Sequence, residues 1–95
     1  MGARENRVET YLASQITRSG GLTRKWVSPG RDGVPDRIVV LHGDIWFVEV
    51  KTVEGKLSTT QAREHQLLLD AGAQVVTVYG RTGVDEFVAT ITQET

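Results

Sequence analysis

The chain has 95 residues, with 11 Lys and Arg, 12 Asp and Glu, and a formal net charge of −1. We expect one domain spanning residues 1–95, because this length supports a single small core and no second one. Cysteine is absent, which excludes a disulfide framework and a thiolate metal site and leaves zinc ligation poorly supported. We also expect a cytoplasmic protein without a membrane partner, since the first residues contain neither an apolar signal core nor a bilayer-length apolar span.

The charges are distributed unevenly along the chain. Residues 1–63 contain ten Lys and Arg against seven Asp and Glu, whereas residues 64–95 contain one Arg against five acids. If some of the acids in the first part bind a cation, the surface around them becomes more positive than the count suggests. The near-neutral total therefore does not exclude a nucleic-acid partner, although ordinary solvated charges are the alternative.

The first predicted element is an amphipathic helix over residues 4–18, ended by Ser19-Gly20-Gly21. Its apolar face is formed by Val8, Leu12 and Ile16. Glu5 and Glu9 project within roughly 40° of that face, where an unpaired carboxylate would be costly. The alternative is that both are first-turn acids favoured by the helix dipole.

Residues 23–28 have strand character, and residues 28–33 (SPGRDG) form a turn-rich loop. We expect the strand to neighbour the hairpin that follows. The loop should carry Arg31 to the carboxylates described next, where it would suit a phosphate contact. An exposed connector with an ordinary surface arginine is the alternative.

Two apolar runs, residues 38–41 and 45–50, are separated by His42-Gly43-Asp44, a pattern that predicts a β-hairpin with a tight turn. If the turn pairs Leu41 with Asp44, Asp36 falls directly opposite Glu49.

The predicted pair of Asp36 and Glu49 needs a positive partner, because like charges facing each other across strands repel. Lys51 lies two positions after Glu49 and therefore on the same face. A divalent cation with oxygen ligands, assisted by the Lys51 ammonium group, is the simplest candidate.

A second helix is predicted over residues 59–71, ended by Gly72. Ser58 with Gln61 three positions later forms a capping box at its start. His65, one turn further on, is interpreted as a partly buried helix residue and not as a catalytic one.

The last part of the chain predicts a strand over residues 74–79, a turn over residues 80–83 and a short helix over residues 85–92. The side chains expected to face inward there are Val84, Phe87, Val88 and Ile91. The element order is helix, three strands, helix, strand, helix. This order indicates an α/β sandwich around a mixed sheet.

Pro35-Asp36 followed by Glu49-Val50-Lys51 resembles the PD-(D/E)XK nuclease signature. The wider pattern resembles the VRR-NUC branch of that superfamily in its small stand-alone form, from about Glu5 to Val88. The segments that carry this resemblance are Gly20-Gly21, Ser28-Pro29-Gly30, Gly33-Val34-Pro35-Asp36-Arg37, Phe47-Val48-Glu49-Val50-Lys51, Gly55-Lys56-Leu57-Ser58 and Gln61.

The resemblance implies a restriction-endonuclease-like αβββαβ core with a mixed four-stranded sheet flanked by helices. It also implies the roles of the site residues. The implied catalytic residues are Asp36, Glu49, Lys51 and Gln61. The implied ligands of Mg²⁺ or Mn²⁺ are Glu9, Asp36, Glu49 and the Val50 carbonyl, with Glu9 preferred to Glu5 as the first-helix acid. The candidate DNA-binding residues are Lys25, Arg31 and Arg37.

The predicted function is hydrolysis of DNA phosphodiester bonds by a metal-dependent endonuclease, with water as the nucleophile. A small domain gains stability by burying an apolar face against a copy of itself, and Trp26, Trp46 and residues 67–69 are the expected exposed candidates. The resemblance further implies a homodimer that cuts Holliday junctions or other branched DNA in replication, repair or recombination. The alternatives are a non-cleaving branched-DNA-binding module of the same fold, an interaction protein with a fortuitous motif, and a monomer placed on DNA by a larger partner.

Overall fold

The computed structural model describes residues 2–93 and consists of a four-stranded sheet with three helices. The elements are α1 (Ala3–Arg18), β1 (Leu22–Lys25), β2 (Arg37–Leu41), β3 (Asp44–Lys51), α2 (Thr59–Asp70), β4 (Val75–Tyr79) and α3 (Gly80–Thr92). The strands lie in the order β1-β2-β3-β4, antiparallel up to β3 and parallel between β3 and β4. The predicted α/β fold with a mixed four-stranded sheet is thus confirmed.

The core lies between the sheet and the helices α1 and α3. Its buried members are Val8, Leu12, Ile16, Val39, Val48, Val50, Val78, Val84 and Phe87. The apolar face predicted for the first helix is therefore confirmed, as is the inward face of the last one, where Val88 and Ile91 pack against the cluster. None of the helices within residues 2–93 combines the length and apolar character needed to cross a membrane.

The hairpin between β2 and β3 has the predicted register, with Leu41 paired to Asp44 and Arg37 paired to Val48. Its two turn residues, His42 and Gly43, have φ values of 53° and 84°. Two successive positive φ values match the right-handed twist of the flanking strands, which is why such turns are favoured in two-residue hairpins.

Strand alternation divides the hairpin side chains between the two faces of the sheet. Val48 and Val50 point into the core, so Glu49 points to the opposite face. That face is covered in part by α2, whose Gln61 and His65 both approach Glu49.

Two local predictions are corrected by the structure. The strand expected over residues 23–28 is β1, which ends at Lys25, although the Trp26 N–H still donates to the Asp36 carbonyl. The turn expected over residues 80–83 is helical, because Gly80 adopts a φ of 65° and completes the change from strand to helix within one residue. A side chain there would also meet Val53, since an added Cβ would lie 2.6 Å from its Cγ2.

The two tryptophans expected to be exposed are instead half-buried. Trp26 packs on Phe47 with ring centroids 5.1 Å apart, and Trp46 contacts Phe87 edge-on at 5.6 Å. Leu67 and Leu69 of α2 are exposed as expected.

Candidate active site

The site is built where β2 begins and β3 ends. Asp36 directly precedes β2, and its Oδ2 accepts a hydrogen bond of 2.8 Å from the Val50 N–H of β3. Pro35 is fully buried just before it. This backbone bond fixes the Asp36 carboxylate beside Glu49, as the hairpin register predicts.

Glu49 is the most deeply buried acid of the site, with 1% of its surface exposed. Its Oε2 accepts a hydrogen bond from Gln61 Nε2 at 3.3 Å and lies 4.0 Å from Lys51 Nζ. Burial first, and then the nearby charge of Asp36, raise the pKa of Glu49 to about 8, against the smaller opposing effect of Lys51. Without a further cation, the carboxylate pair therefore retains a proton near neutral pH.

Gln61 forms the predicted capping box and also contacts Glu49. Its side-chain oxygen accepts from the Ser58 N–H at 2.9 Å while its own backbone N–H donates to Ser58 Oγ, which completes the predicted capping box. The amide nitrogen is thereby left to face Glu49. The cap thus holds the glutamine in the orientation that points its donor into the site.

His65 is a buried residue of α2, as its helix position predicted, and it also lies beside Glu49. Its Nε2 lies 3.4 Å from Glu49 Oε1, and within the described chain neither of these two buried atoms has a hydrogen-bond partner. Burial lowers the pKa of His65, against opposing effects of Asp36, Glu64 and a backbone hydrogen bond with Gly33. The available signal was its spacing of four residues from Gln61, which places both on one helix face.

Glu9 occupies a different environment, with 3% of its surface exposed. It accepts hydrogen bonds from Lys25 Nζ at 3.0 and 3.2 Å and from Arg37 Nε at 2.8 Å. Lys25 and Arg37 face each other across β1 and β2. The three side chains form an ion-pair cluster beneath α1, so the predicted DNA-binding residues Lys25 and Arg37 are engaged with the predicted ligand Glu9.

Glu5, one turn earlier in α1, is the first-helix acid that approaches the site. Its Oε1 lies 3.8 Å from Lys51 Nζ, and its charge adds to the rise in the pKa of Glu49. Glu5 therefore lies near Lys51 whereas Glu9 is paired with Lys25 and Arg37, and the role of either as a metal ligand stays a prediction.

Arg31, the third candidate DNA-binding residue, lies against α2 and not beside the carboxylates. Its Nε donates to Glu64 Oε1 at 2.7 Å, and the side chain is 57% exposed. The loop itself is held against α2 at Gly33, where an added Cβ would lie 2.7 Å from the Thr60 carbonyl oxygen. Gly33 is therefore needed for the close approach of the loop to the helix.

The donor set at Asp36 and Glu49 fits a hard divalent cation. Within residues 2–93, no cluster of three or more His, Cys, Asp and Glu side chains has metal-binding geometry. Mg²⁺, however, is commonly held by one or two carboxylates together with water and substrate phosphate. The unpartnered Glu49 Oε1 beside a second carboxylate provides such a ligand pair.

Comparison with known proteins places this site in a family. No family model matches the chain. The sequence is 47% identical over 74 residues to "Putative nuclease p44" of Acyrthosiphon pisum secondary endosymbiont phage 1, covering 77% of this chain and 80% of that protein. A solved structure described as "VRR_NUC domain" is similar with a TM-score of 0.83 and 35% identity, over 93% of this chain and 97% of the other. The chain belongs to the VRR-NUC family of nucleases. The resemblance inferred from the sequence is therefore confirmed, whereas the roles of individual residues in this VRR-NUC domain remain predictions.

Proposed function

We propose that this VRR-NUC nuclease is a metal-dependent endonuclease that hydrolyses phosphodiester bonds in DNA. The observation that carries the proposal is the pair of half-buried Asp36 and buried Glu49 beside Lys51, in which Glu49 Oε1 has no hydrogen-bond partner in the described chain. Such a pair is costly unless it is protonated or binds a cation.

Asp36, Glu49 and the Val50 carbonyl would hold one or two Mg²⁺ or Mn²⁺ ions, with Glu5 as the first-helix acid beside them. The prediction preferred Glu9 for that last role, but its two cationic partners already neutralise it. A bound ion would supply Lewis-acid stabilisation of charge on the phosphate and would lower the pKa of an attacking water.

Lys51 and Gln61 complete the proposed machinery. The Lys51 side chain is 13% exposed and its ammonium group lies between Glu5 and Glu49, a position from which it would orient water and stabilise charge in the transition state. Gln61 donates to Glu49 and so positions that carboxylate. The described site includes no serine or tyrosine beside an evident base, which favours water as the nucleophile.

Cleavage assays with plasmid DNA test this proposal directly. Cutting should require Mg²⁺ or Mn²⁺ and stop with EDTA, and the ion should raise the melting temperature, because a ligand of the native state stabilises it. Undiminished cutting in excess EDTA would contradict metal dependence. Metal-dependent DNA binding without cutting would instead support the non-cleaving module.

We further propose that the enzyme acts as a homodimer on branched DNA, in the cytoplasm of a bacterial or phage-infected cell. On the sheet face that carries Glu49, Leu22 pairs with Val40 and Val40 pairs with Ile45. Leu22 and Ile45 are about half exposed, and the exposed Leu67 and Leu69 of α2 add further apolar surface. A two-fold contact through such a surface would present two active sites of opposite strand polarity, which suits paired cuts in a four-way junction.

Assembly and substrate preference can be tested separately. Light scattering should give twice the chain mass of 10.5 kDa at micromolar concentration; a mass equal to one chain would contradict a stable dimer. A four-way junction should be cut faster than linear duplex of the same length and sequence, and equal rates would contradict the structural preference.

A further inference from the structure

Three arginines line a concavity between the beginnings of α1 and α3. Arg4 and Arg7 come from α1 and Arg81 from the first turn of α3, with Val8 completing the lining. The concavity has a volume of about 560 Å³, which is ample for a hydrated phosphodiester group. Its lining within the described chain includes no acidic side chain.

Within residues 2–93 these three guanidinium groups form no ion pair, unlike four other cations of the protein. The paired cations are Lys25, Arg31, Arg37 and Lys51. Arg4, Arg7 and Arg81 are therefore three positive charges, grouped in one concavity, that remain available to an external anion.

Arg81 is kept from the acid on its own helix by a specific arrangement. Asp85, four residues later, accepts a hydrogen bond of 2.6 Å from the Tyr11 hydroxyl. The guanidinium carbon of Arg81 lies 4.2 Å from the centroid of the Tyr11 ring. A cation–π contact orients the arginine without using its N–H donors, so these donors stay free for hydrogen bonding.

The arginine concavity lies at the same edge of the sheet as the active site. Glu5, which lies between Arg4 and Arg7 in α1, approaches Lys51 to 3.8 Å. Arg81 follows Tyr79 by two residues, and Tyr79 pairs with Lys51 across β3 and β4. A DNA strand whose scissile phosphate reaches Lys51 would need to extend along this edge to contact the three arginines.

We propose that Arg4, Arg7 and Arg81 form a phosphate-binding subsite that holds the DNA backbone beside the scissile bond. Guanidinium groups bind phosphate oxygens in a bidentate manner, and the positive ends of two helices add to the local potential. The subsite deepens the proposed function, on which it rests for the identity of the ligand as DNA. It should contribute affinity and strand placement without sequence preference.

The test is the affinity for duplex and four-way-junction DNA as a function of salt concentration. Binding is measured by fluorescence anisotropy in EDTA, so that no cutting occurs. The double variant Arg4→Gln/Arg7→Gln should bind DNA about 10-fold more weakly than the native protein. The single variant Arg81→Gln should bind it a few-fold more weakly. The slope of log K against log salt should become shallower by about 0.9 for each phosphate that the variant no longer neutralises. Unfolding curves should remain unchanged for Arg4→Gln/Arg7→Gln, because these side chains form no ion pairs in the described chain. They should shift slightly for Arg81→Gln, which loses its cation–π contact with Tyr11.

The matched control is Arg18→Gln/Arg24→Gln, which removes the same charge from α1's last turn and from β1. Equal affinity and slope in the test and control variants would overturn the subsite.

A second experiment adds inorganic phosphate. If phosphate raises the melting temperature of the native protein but not of the Arg4→Gln/Arg7→Gln variant, while DNA affinity is equal in both, the concavity binds small anions and the DNA proposal is overturned.

These outcomes are separable from failure of the proposed nuclease mechanism. Binding is measured without metal or cleavage. A protein that cuts no DNA with any metal, yet shows weaker salt-dependent binding in the arginine variants, would refute the mechanism and retain the subsite.

Discussion

Two buried glutamates in this small domain have opposite surroundings. Glu9 and Glu49 are 3% and 1% exposed, yet Glu9 bonds two cations at 3.0 and 2.8 Å, whereas Glu49 has Lys51 no closer than 4.0 Å. Asp36 adds a second negative charge beside Glu49. A buried carboxylate with matched cations can stay charged within the fold, whereas one without them is a candidate position for a ligand.

The largest expected effect on cleavage comes from removing a negative charge from Asp36 or Glu49, the pair of carboxylates without a close cation. Asp36→Asn and Glu49→Gln keep the side-chain shape but remove a proposed metal ligand, so cleavage of plasmid DNA should fall by about 10³-fold or more. The free energy of unfolding should be retained or increased, because Asp36→Asn removes the second carboxylate and Glu49→Gln removes the group that must stay protonated on burial. Wild-type turnover in either variant would show that the residue is structural.

Lys51 should be second in effect on cleavage. Lys51→Ala removes one preorganised cationic donor and should lower the single-turnover cleavage rate by about 10²-fold. DNA affinity measured in EDTA should change little, since only one of many positive charges is removed. An unchanged rate with weakened binding would assign Lys51 to DNA binding instead.

At Glu9, whose charge is matched by Lys25 and Arg37, the expected effect is on the free energy of unfolding. Glu9→Gln leaves Arg37 largely buried without its charged partner, which should lower the free energy of unfolding by about 2 kcal/mol in urea titrations. Glu5→Gln is the control, because Glu5 is partly exposed and its only cation within 4 Å in the described chain is Lys51. It should reduce metal-dependent cleavage with little loss of stability. The reverse pattern would restore Glu9 as the first-helix ligand.

The register of Asp36 against Glu49 could be predicted because a two-residue turn and the strand pleat fix it without reference to the rest of the fold. The choice between Glu5 and Glu9 could not. Both lie near the same helix face, and their partners depend on how α1 crosses the sheet. The position of Arg37 was missed although its signal was present: it alternates with Asp36 and so points toward the core, where Glu9 meets it.

A smaller effect is expected from pH in the metal-free protein. Because the pKa of Glu49 is raised to about 8 from 4.5, the folded protein keeps a proton that the unfolded chain releases. The free energy of unfolding should therefore fall as pH rises toward 8. The lowered pKa of His65 makes stability rise with pH, but mainly below 6.5, the ordinary pKa of histidine. Between pH 6.5 and 8 the change in stability should therefore come mainly from Glu49. Urea titrations of Glu49→Gln should lose this slope, and a native slope of zero would contradict the burial of an unmatched charge.

The most direct test of the contrast between the two glutamates is the effect of Mn²⁺ on the melting temperature of the native protein, Glu49→Gln and Glu9→Gln. If the unmatched pair binds the metal, Mn²⁺ should raise the melting temperature of the native protein and of Glu9→Gln, and leave that of Glu49→Gln unchanged. A shift that survives in Glu49→Gln and disappears in Glu9→Gln would contradict the account.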